Sequence, residues 1–210
     1  MGKNYLKRLT IPNTWSGILK KENVYIVRPS PGPHSFRLSM PVSVLLRQLN
    51  YGHSGREIKF ILNNKDVLVN KRKILDPKFP VGFLDVFTIS DLKEDYRMLL
   101  NGQGKLTLSK ITKHTDRKVS KIIDKRTIAK GKTQINLSDG RNFVLDNHAD
   151  YHPGDSVVLE VPTHKVLAHL PLKEGAHMIL IGGKHIGETG TVLGLEGKQL
   201  TYKNNDGKEI

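Results

Sequence analysis

Lysine and arginine are the residues of this sequence best placed to do chemistry, and that chemistry is the gripping of phosphate. They crowd where acids are scarce: residues 1–37 hold seven against one acid, and Lys105 to Lys132 holds ten against two. Lys110, Lys113, Arg117, Lys118, Lys121, Lys125 and Arg126 fall in the second run, which is too dense for an ordinary solvated face, although a charged surface loop would read the same way. No aromatic residue interrupts that run. The stacking platform of a single-strand reader is therefore missing there, and recognition by shape and backbone is expected.

Other chemistries fit less well. His148 and His152 lie four apart with Asp146 and Asp150 nearby, a spacing that suits a metal only on a helix. Asn147, Pro153 and Gly154 predict a loop instead, so no metal is expected. Gly182, Gly183, Gly187 and Gly190 permit a tight loop that brings backbone N–H groups close to a ligand, with Lys184 and His185 projecting from it. That loop lacks the G-x-x-x-x-G-K-[ST] spacing of a nucleotide-binding phosphate loop, and no helical pattern follows it. Neither G-x-S-x-G, a paired-carboxylate context nor a dinucleotide fingerprint occurs, so no catalytic residue, cofactor or small-molecule substrate is expected.

Composition narrows the partner. Thirty-four basic residues against 20 acidic ones give a net charge of +14, the electrostatic footprint of a phosphate-binding protein. A membrane surface competes for that role. No apolar stretch approaches the roughly 20 residues that span a bilayer, no basic helix carries a wide apolar face, and the N-terminus shows no apolar signal region. Cytosolic RNA is favoured. The absence of cysteine excludes disulfides and thiolate zinc sites and is compatible with a reducing compartment.

The elements that must carry these cations centre on Met40 to Ile89. Pro41 can open a helix at its first position, and Val42, Leu45, Leu46 and Leu49 recur at helical spacing until Asn50 and Gly52. Ser54 and Glu57 form an S-x-x-E capping box for a second helix, with Ile58, Ile61 and Leu62 as its buried stripe and Arg56, Lys59 and Asn63 outside. Val67 and Val69 then alternate with polar neighbours, Asn70 and Lys71 turn the chain, and Phe83 to Ile89 returns as a strand through Pro80 and Gly82. Ahead of this block, Pro12, Pro29, Pro31 and Pro33 break regular structure. A basic arm without a core of its own is expected, either disordered or threaded along nucleic acid, with Trp15 docking it onto a neighbour. After it, Lys105 to Leu108, Thr133 to Leu137, Phe143 to Leu145 and Ser156 to Val161 read as short strands, with turns at Asp139-Gly140 and Pro153-Gly154-Asp155. Asp206-Gly207 is a further expected turn.

Helix, capped helix with an early arginine, short strand, turn, basic run and returning strand resembles the alpha-L RNA-binding motif of translation proteins. The stretch from Glu174 through the glycine loop to Leu195 resembles a KOW motif. Together with KRLTIPNTW, VRPSPGPH, FPVGFLDVFTI and GGKHIGETG, the whole chain resembles the e-type small-subunit ribosomal protein four family of archaea and eukaryotes. Two departures stand out. The family's turn is usually Asn-Gly or Asp-Gly; a lysine at positive φ costs on the order of 1 kcal/mol, so Asn70-Lys71 is expected to widen or change type. The family also usually continues for another strand or more past the position of Ile210, which bears on completion of the last barrel.

The resemblance implies an α+β, multi-domain fold. Its expected parts are a basic N-terminal arm over 1–37, a small two-helix-plus-hairpin alpha-L motif over 38–91, a central antiparallel β-barrel-like domain over 92–171 and a C-terminal SH3-like KOW β-barrel over 172–210. It implies a structural constituent of the small ribosomal subunit, cytoplasmic, with small-subunit rRNA and neighbouring ribosomal proteins as partners and no catalysis. Arg56, Lys59, Lys71, Arg72 and Lys73 line the RNA-facing side in that family. To these the basic arm adds Lys3, Lys7, Arg8, Arg28, His34 and Arg37, the first helix adds Arg47, and the later runs add Lys110, Lys113, Arg117, Lys118, Lys121, Lys184 and His185 as candidate RNA ligands. The bland alternative for Arg56 is a bracing ion pair with an acid such as Asp85. Two other functions remain open: an RNA-modification enzyme of the pseudouridine synthase kind, and a KOW-bearing transcription elongation factor.

Overall fold

A computed structural model describes residues 4–145, 151–197, 199–204 and 207. The expected turn residue Asp206, the candidate ligand Lys3, and Asp146, Asn147, His148 and Asp150 of the rejected metal constellation lie outside the described residues. The chain forms two compact units, residues 1–100 with 105–116, and residues 101–104 with 117–210.

In the first unit the arm is ordered. β1 (Leu6–Lys7) pairs antiparallel with β2 (Tyr25–Ile26), and Leu6, Ile11 and Trp15 are buried. Trp15 docks the arm as expected, packing on Phe36 with ring centroids 5.8 Å apart and bridging to Leu106, while the Leu106 N–H donates to the Thr14 carbonyl at 2.6 Å. β3 (Ser39–Pro41) leads into α1 (Val42–Gln48). Pro41 is the residue before the helix, not its first turn: its pairing with Pro80 across β3 holds ψ at 143°, and the helical conformation starts at Val42. In α2 (Gly55–Asn64) the Glu57 N–H donates to Ser54 Oγ at 3.1 Å and the Ser54 N–H to Glu57 Oε2 at 3.3 Å, completing the expected capping box. Ile58, Ile61 and Leu62 are buried on one face, so truncating Leu62 to Ala would cost about 2–5 kcal/mol.

β4 (Val67–Val69) and β5 (Arg72–Lys73) form a hairpin, β6 (Pro80–Gly82) pairs with β3, and β7 (Val86–Ile89), β8 (Glu94–Leu100) and β9 (Leu106–Ile111) complete a sheet ordered β5-β4-β7-β8-β9. The returning strand starts at Val86 because Leu84 adopts φ 64 and the Asp85 N–H turns back to the Gly82 carbonyl at 3.1 Å. Packing groups β8 (residues 94–100) and β9 (residues 106–111) with this unit.

The Asn70-Lys71 turn neither widens nor changes type. Val69 pairs directly with Arg72, and Asn70 and Lys71 both take left-handed φ values, 50 and 60. That is a two-residue turn whose twist matches the strands, and Asn70 carries it: buried, its amide donates to Asp85 Oδ1 at 2.7 Å and its side-chain oxygen accepts the Val86 N–H at 3.0 Å.

The second unit holds β10 (Arg117–Thr127), β11 (Thr133–Leu137), β12 (Asn142–Leu145), β13 (Ser156–Glu160) and β14 (Val166–Leu170) in the order β12-β11-β10-β13-β14. The turns at Gly140 and Gly154 form as expected, at φ 75 and 106. Alternate residues Ile122, Ile135, Leu137, Val157 and Leu159 share one core, with Phe143, Leu145 and Tyr151 against it. Of the antiparallel barrel-like domain expected here, the described strands make a five-stranded antiparallel sheet with β12 and β14 at its edges. β15 (His177–Ile179), β16 (Thr189–Glu196) and β17 (Gln199–Asn204) form a separate three-stranded sheet.

Candidate nucleic-acid interface

The capping box fixes the first residue of α2, and 100° per residue then sets Arg56, Lys59, Phe60 and Asn63 on the face opposite Ile58, Ile61 and Leu62. Arg56 and Lys59 line a shallow concavity with Ser54 and Gly55, and neither makes an ion pair among the described residues. Glu57, next to them, turns Oε2 onto its own helix start, where it accepts the His53 N–H at 2.9 Å and the Ser54 N–H at 3.3 Å, and these N–H groups hold its carboxyl below the usual range. The acid in the first turn makes no ion pair with either cation among the described residues.

Arg56 does not pair with Asp85. That carboxylate is buried, bonded to Asn70 and the Gly82 N–H (2.8 Å), and lies 2.8 Å from Nε2 of His34. His34, a candidate RNA ligand by its place in the basic arm, has a side chain only 7% exposed, and its ring fills the space where a Cβ on Gly82 would sit, so it braces the turn from inside. The approach to Asp85 is one of proximity, without an aligned hydrogen bond on Nε2.

On the hairpin, Arg72 is exposed, Lys73 contacts Asp66 at 2.6 Å and Lys71 lies 3.8 Å from Asp95. Such surface pairs are worth little and exchange readily with a phosphate. In the arm Lys7, Arg28 and Arg37 are exposed. Arg8 is not free: its Nη1 donates to the Leu19 carbonyl at 2.8 Å and to Glu22 at 2.7 Å. Arg47 donates through Nε to the His53 carbonyl at 3.2 Å and, with Arg8, lines a cavity between the arm and α1.

The dense run divides. Lys110 is tied to Glu94, which Tyr96 also bonds; that contact and burial push the Tyr96 hydroxyl up to about 12. Lys113, Arg117 and Lys121 are exposed. Lys118 is not a surface cation. It is 2% exposed and 3.0 Å from Asp139, itself 2% exposed and bonded by Ser120 Oγ at 3.1 Å. Burial raises the Asp139 carboxyl, but Lys118 and Arg141 outweigh it and hold the group below its ordinary value. The signal was in the strand period: Lys118, Ser120 and Ile122 are spaced by two and share the covered face of β10.

In the glycine loop, Lys184 is exposed and His185 contacts Glu188 at 2.8 Å through Nδ1, which keeps the Glu188 carboxyl low. Not all its glycines serve an outside ligand. A Cβ on Gly187 would collide with the Asn101 carbonyl and one on Gly190 with the Lys203 carbonyl, so these two let the chain's own backbone close up. Gly182 and Gly183 face open space. Sequence reasoning missed Phe60, which is 66% exposed between Arg56 and Asn64. Its position off the apolar stripe was the available sign.

The family models for Ribosomal family S4e and the RS4NT (NUC023) domain match residues 92–166 and 2–37. Over 90% of its length the chain is 43% identical to the small ribosomal subunit protein eS4 of Nanoarchaeum equitans, covering 81% of that protein. The chain belongs to the S4e ribosomal protein family. A second eS4, from Methanosphaera stadtmanae, is 41% identical over 96% of the chain and 83% of the relative. The crystal structure of 30S ribosomal protein S4e from Thermoplasma acidophilum matches with a TM-score of 0.67 and 28% identity, over 82% of this chain and 90% of that one. These S4e relatives lend no support to an RNA-modification enzyme or a transcription factor. The expected family is therefore the observed one, and the β-rich fold with two helices agrees with the S4e structure.

Proposed function

We propose that this chain is a structural component of the small ribosomal subunit, without a catalytic step, that holds rRNA chiefly through phosphate. The observation that carries this is the 43% identity to a small ribosomal subunit protein across most of both chains. The residue-level support is a capped α2 whose Arg56 and Lys59 have no acidic partners among the described residues, together with a basic hairpin closed by a two-residue turn. We assign the helix-helix-hairpin block to the alpha-L motif and the glycine-loop sheet to KOW. Its ligands are Arg56, Lys59, Lys71, Arg72 and Lys73, supported by Lys7, Arg28 and Arg37 of the arm, by Lys113, Arg117 and Lys121, and by Lys184. Cytoplasmic location follows from that assembly; among the described residues no helix is long and apolar enough to cross a membrane.

Sedimentation of native extract on a sucrose gradient tests the assembly: the protein is expected with small subunits. Migration with RNA polymerase, or as a free enzyme that isomerises uridine, would refute it. With about six phosphates neutralised, log K for an rRNA fragment should fall against log salt with a slope near −4 to −5. A flat dependence would show that the cations are merely solvated.

A further inference from the structure

The cavity between the arm and α1 measures about 200 Å³. That is smaller than the roughly 300–1,000 Å³ of sites for drug-sized ligands, so its occupant is a single ring-sized group. Ile18, Ile26 and Val44 supply apolar wall, while Arg8, Glu22, Arg47 and Gln48 supply polar atoms. We infer that this cavity receives one unpaired nucleobase extruded from the bound RNA, stacked on the apolar wall and hydrogen-bonded by Arg47 and Gln48. The inference rests on the RNA-binding reading above and adds a base-reading site to a surface otherwise built for phosphate.

Two observations, the Glu22 carboxylate and the Gln48 acceptor, favour a base over a phosphate, and Arg47 adds donors. Glu22 stands on the lining and already neutralises Arg8, so an anion would meet a carboxylate. Arg47 uses only Nε, on the His53 carbonyl, which leaves the rest of its guanidinium for the acceptor edge of a base or for stacking. Gln48 is held in place by the bond from Nε2 to the Ser16 carbonyl at 2.6 Å, so its side-chain oxygen remains as an acceptor. Gly17, at φ 64, makes room for that amide: a Cβ there would lie 3.1 Å from Gln48 Nε2. The site is thus preformed, with donors and an acceptor around a slot, and RNA loops are where bases are free to enter one.

The test uses the full chain and a small-subunit rRNA fragment. Ile26→Phe fills the cavity without changing charge, and Arg47→Gln removes the donor fork; Leu19→Trp blocks the cavity from the lining residue that is 71% exposed, and serves if Ile26→Phe fails to melt like the parent. Each is expected to weaken binding about tenfold, the effect of losing one stacked base, while the salt slope stays as in the parent. If the parent itself does not bind rRNA, the RNA-binding reading fails. If the parent binds and the filled variants bind equally well, the cavity is unused. A slope shallower by about one in the Arg47 variant would assign the cavity to phosphate. Normal affinity for naked rRNA with poor incorporation into subunits would assign it to a neighbouring protein. Each of these last three outcomes overturns the base site.

Discussion

Asn70 donates to Asp85 at 2.7 Å inside the first unit, and this one bond joins the tip of the basic hairpin to the turn before β7. The same asparagine accepts the Val86 N–H, and the same aspartate takes the Gly82 N–H and faces His34. The surface hairpin proposed above to contact RNA is thus anchored by a buried polar cluster, and its geometry depends on groups inside the unit.

Asn70→Ala should therefore destabilise the protein by about 2–4 kcal/mol, since it leaves buried Asp85 and Val86 polar groups short of partners and puts alanine at positive φ. Lys71→Gly should do the opposite, raising stability by up to about 1 kcal/mol by relieving the left-handed lysine. Urea midpoints at constant m-value check both. A neutral Asn70→Ala would show that the cluster does not hold the turn.

Lys118 separates stability from RNA binding. Lys118→Met removes one partner of a buried pair, and the expected loss approaches about 3–5 kcal/mol, moderated by Ser120 and Arg141 around Asp139. The salt slope of rRNA binding should not move, because the ammonium never reaches phosphate; a decrease of about 0.9 would return Lys118 to the interface.

Acid should unfold the second unit through its buried aspartates. The carboxyls of Asp139 and Asp155 are both held below their ordinary value, Asp139 against burial by Lys118, and Asp155 against burial by the Leu172 and His152 N–H groups and His169. Because the folded value lies below the unfolded value of about 4, their stabilisation is complete above that pH and disappears as pH falls through the lower folded value. Chemical denaturation as a function of pH should show a falling acid limb, and Asp139→Asn should flatten it while lowering stability at neutral pH.

Arg56 is expected to matter for RNA and not for folding. With no acidic partner in place, Arg56→Ala should leave the melting temperature within about a degree or two, yet weaken rRNA binding about tenfold. Arg56→Lys should recover only part of the loss, because a point charge cannot grip phosphate through two parallel bonds. Lost stability with unchanged affinity would remove Arg56 from the interface.

Local rules make much of this protein legible in its amino-acid order alone. The capping box at Ser54 and Glu57, the apolar stripe of α2, the strand at Thr133–Leu137 and the glycine turns at 140 and 154 depend on neighbours within a few residues, and spacing alone specifies them. Excess basic charge needs no fold to be counted, and it points to phosphate directly. Which cations remain available for phosphate is decided only by contacts between distant segments. Lys118 meets Asp139 because β10 carries both β11 and β13, His34 meets Asp85 across about fifty residues of chain, and Arg8 and Arg47 reach one cavity because the arm folds back on α1. The turn at Lys71 follows the same rule. Its own residue disfavours the left-handed conformation, and the buried Asn70–Asp85 bond, which exists only in the assembled unit, overrides that preference.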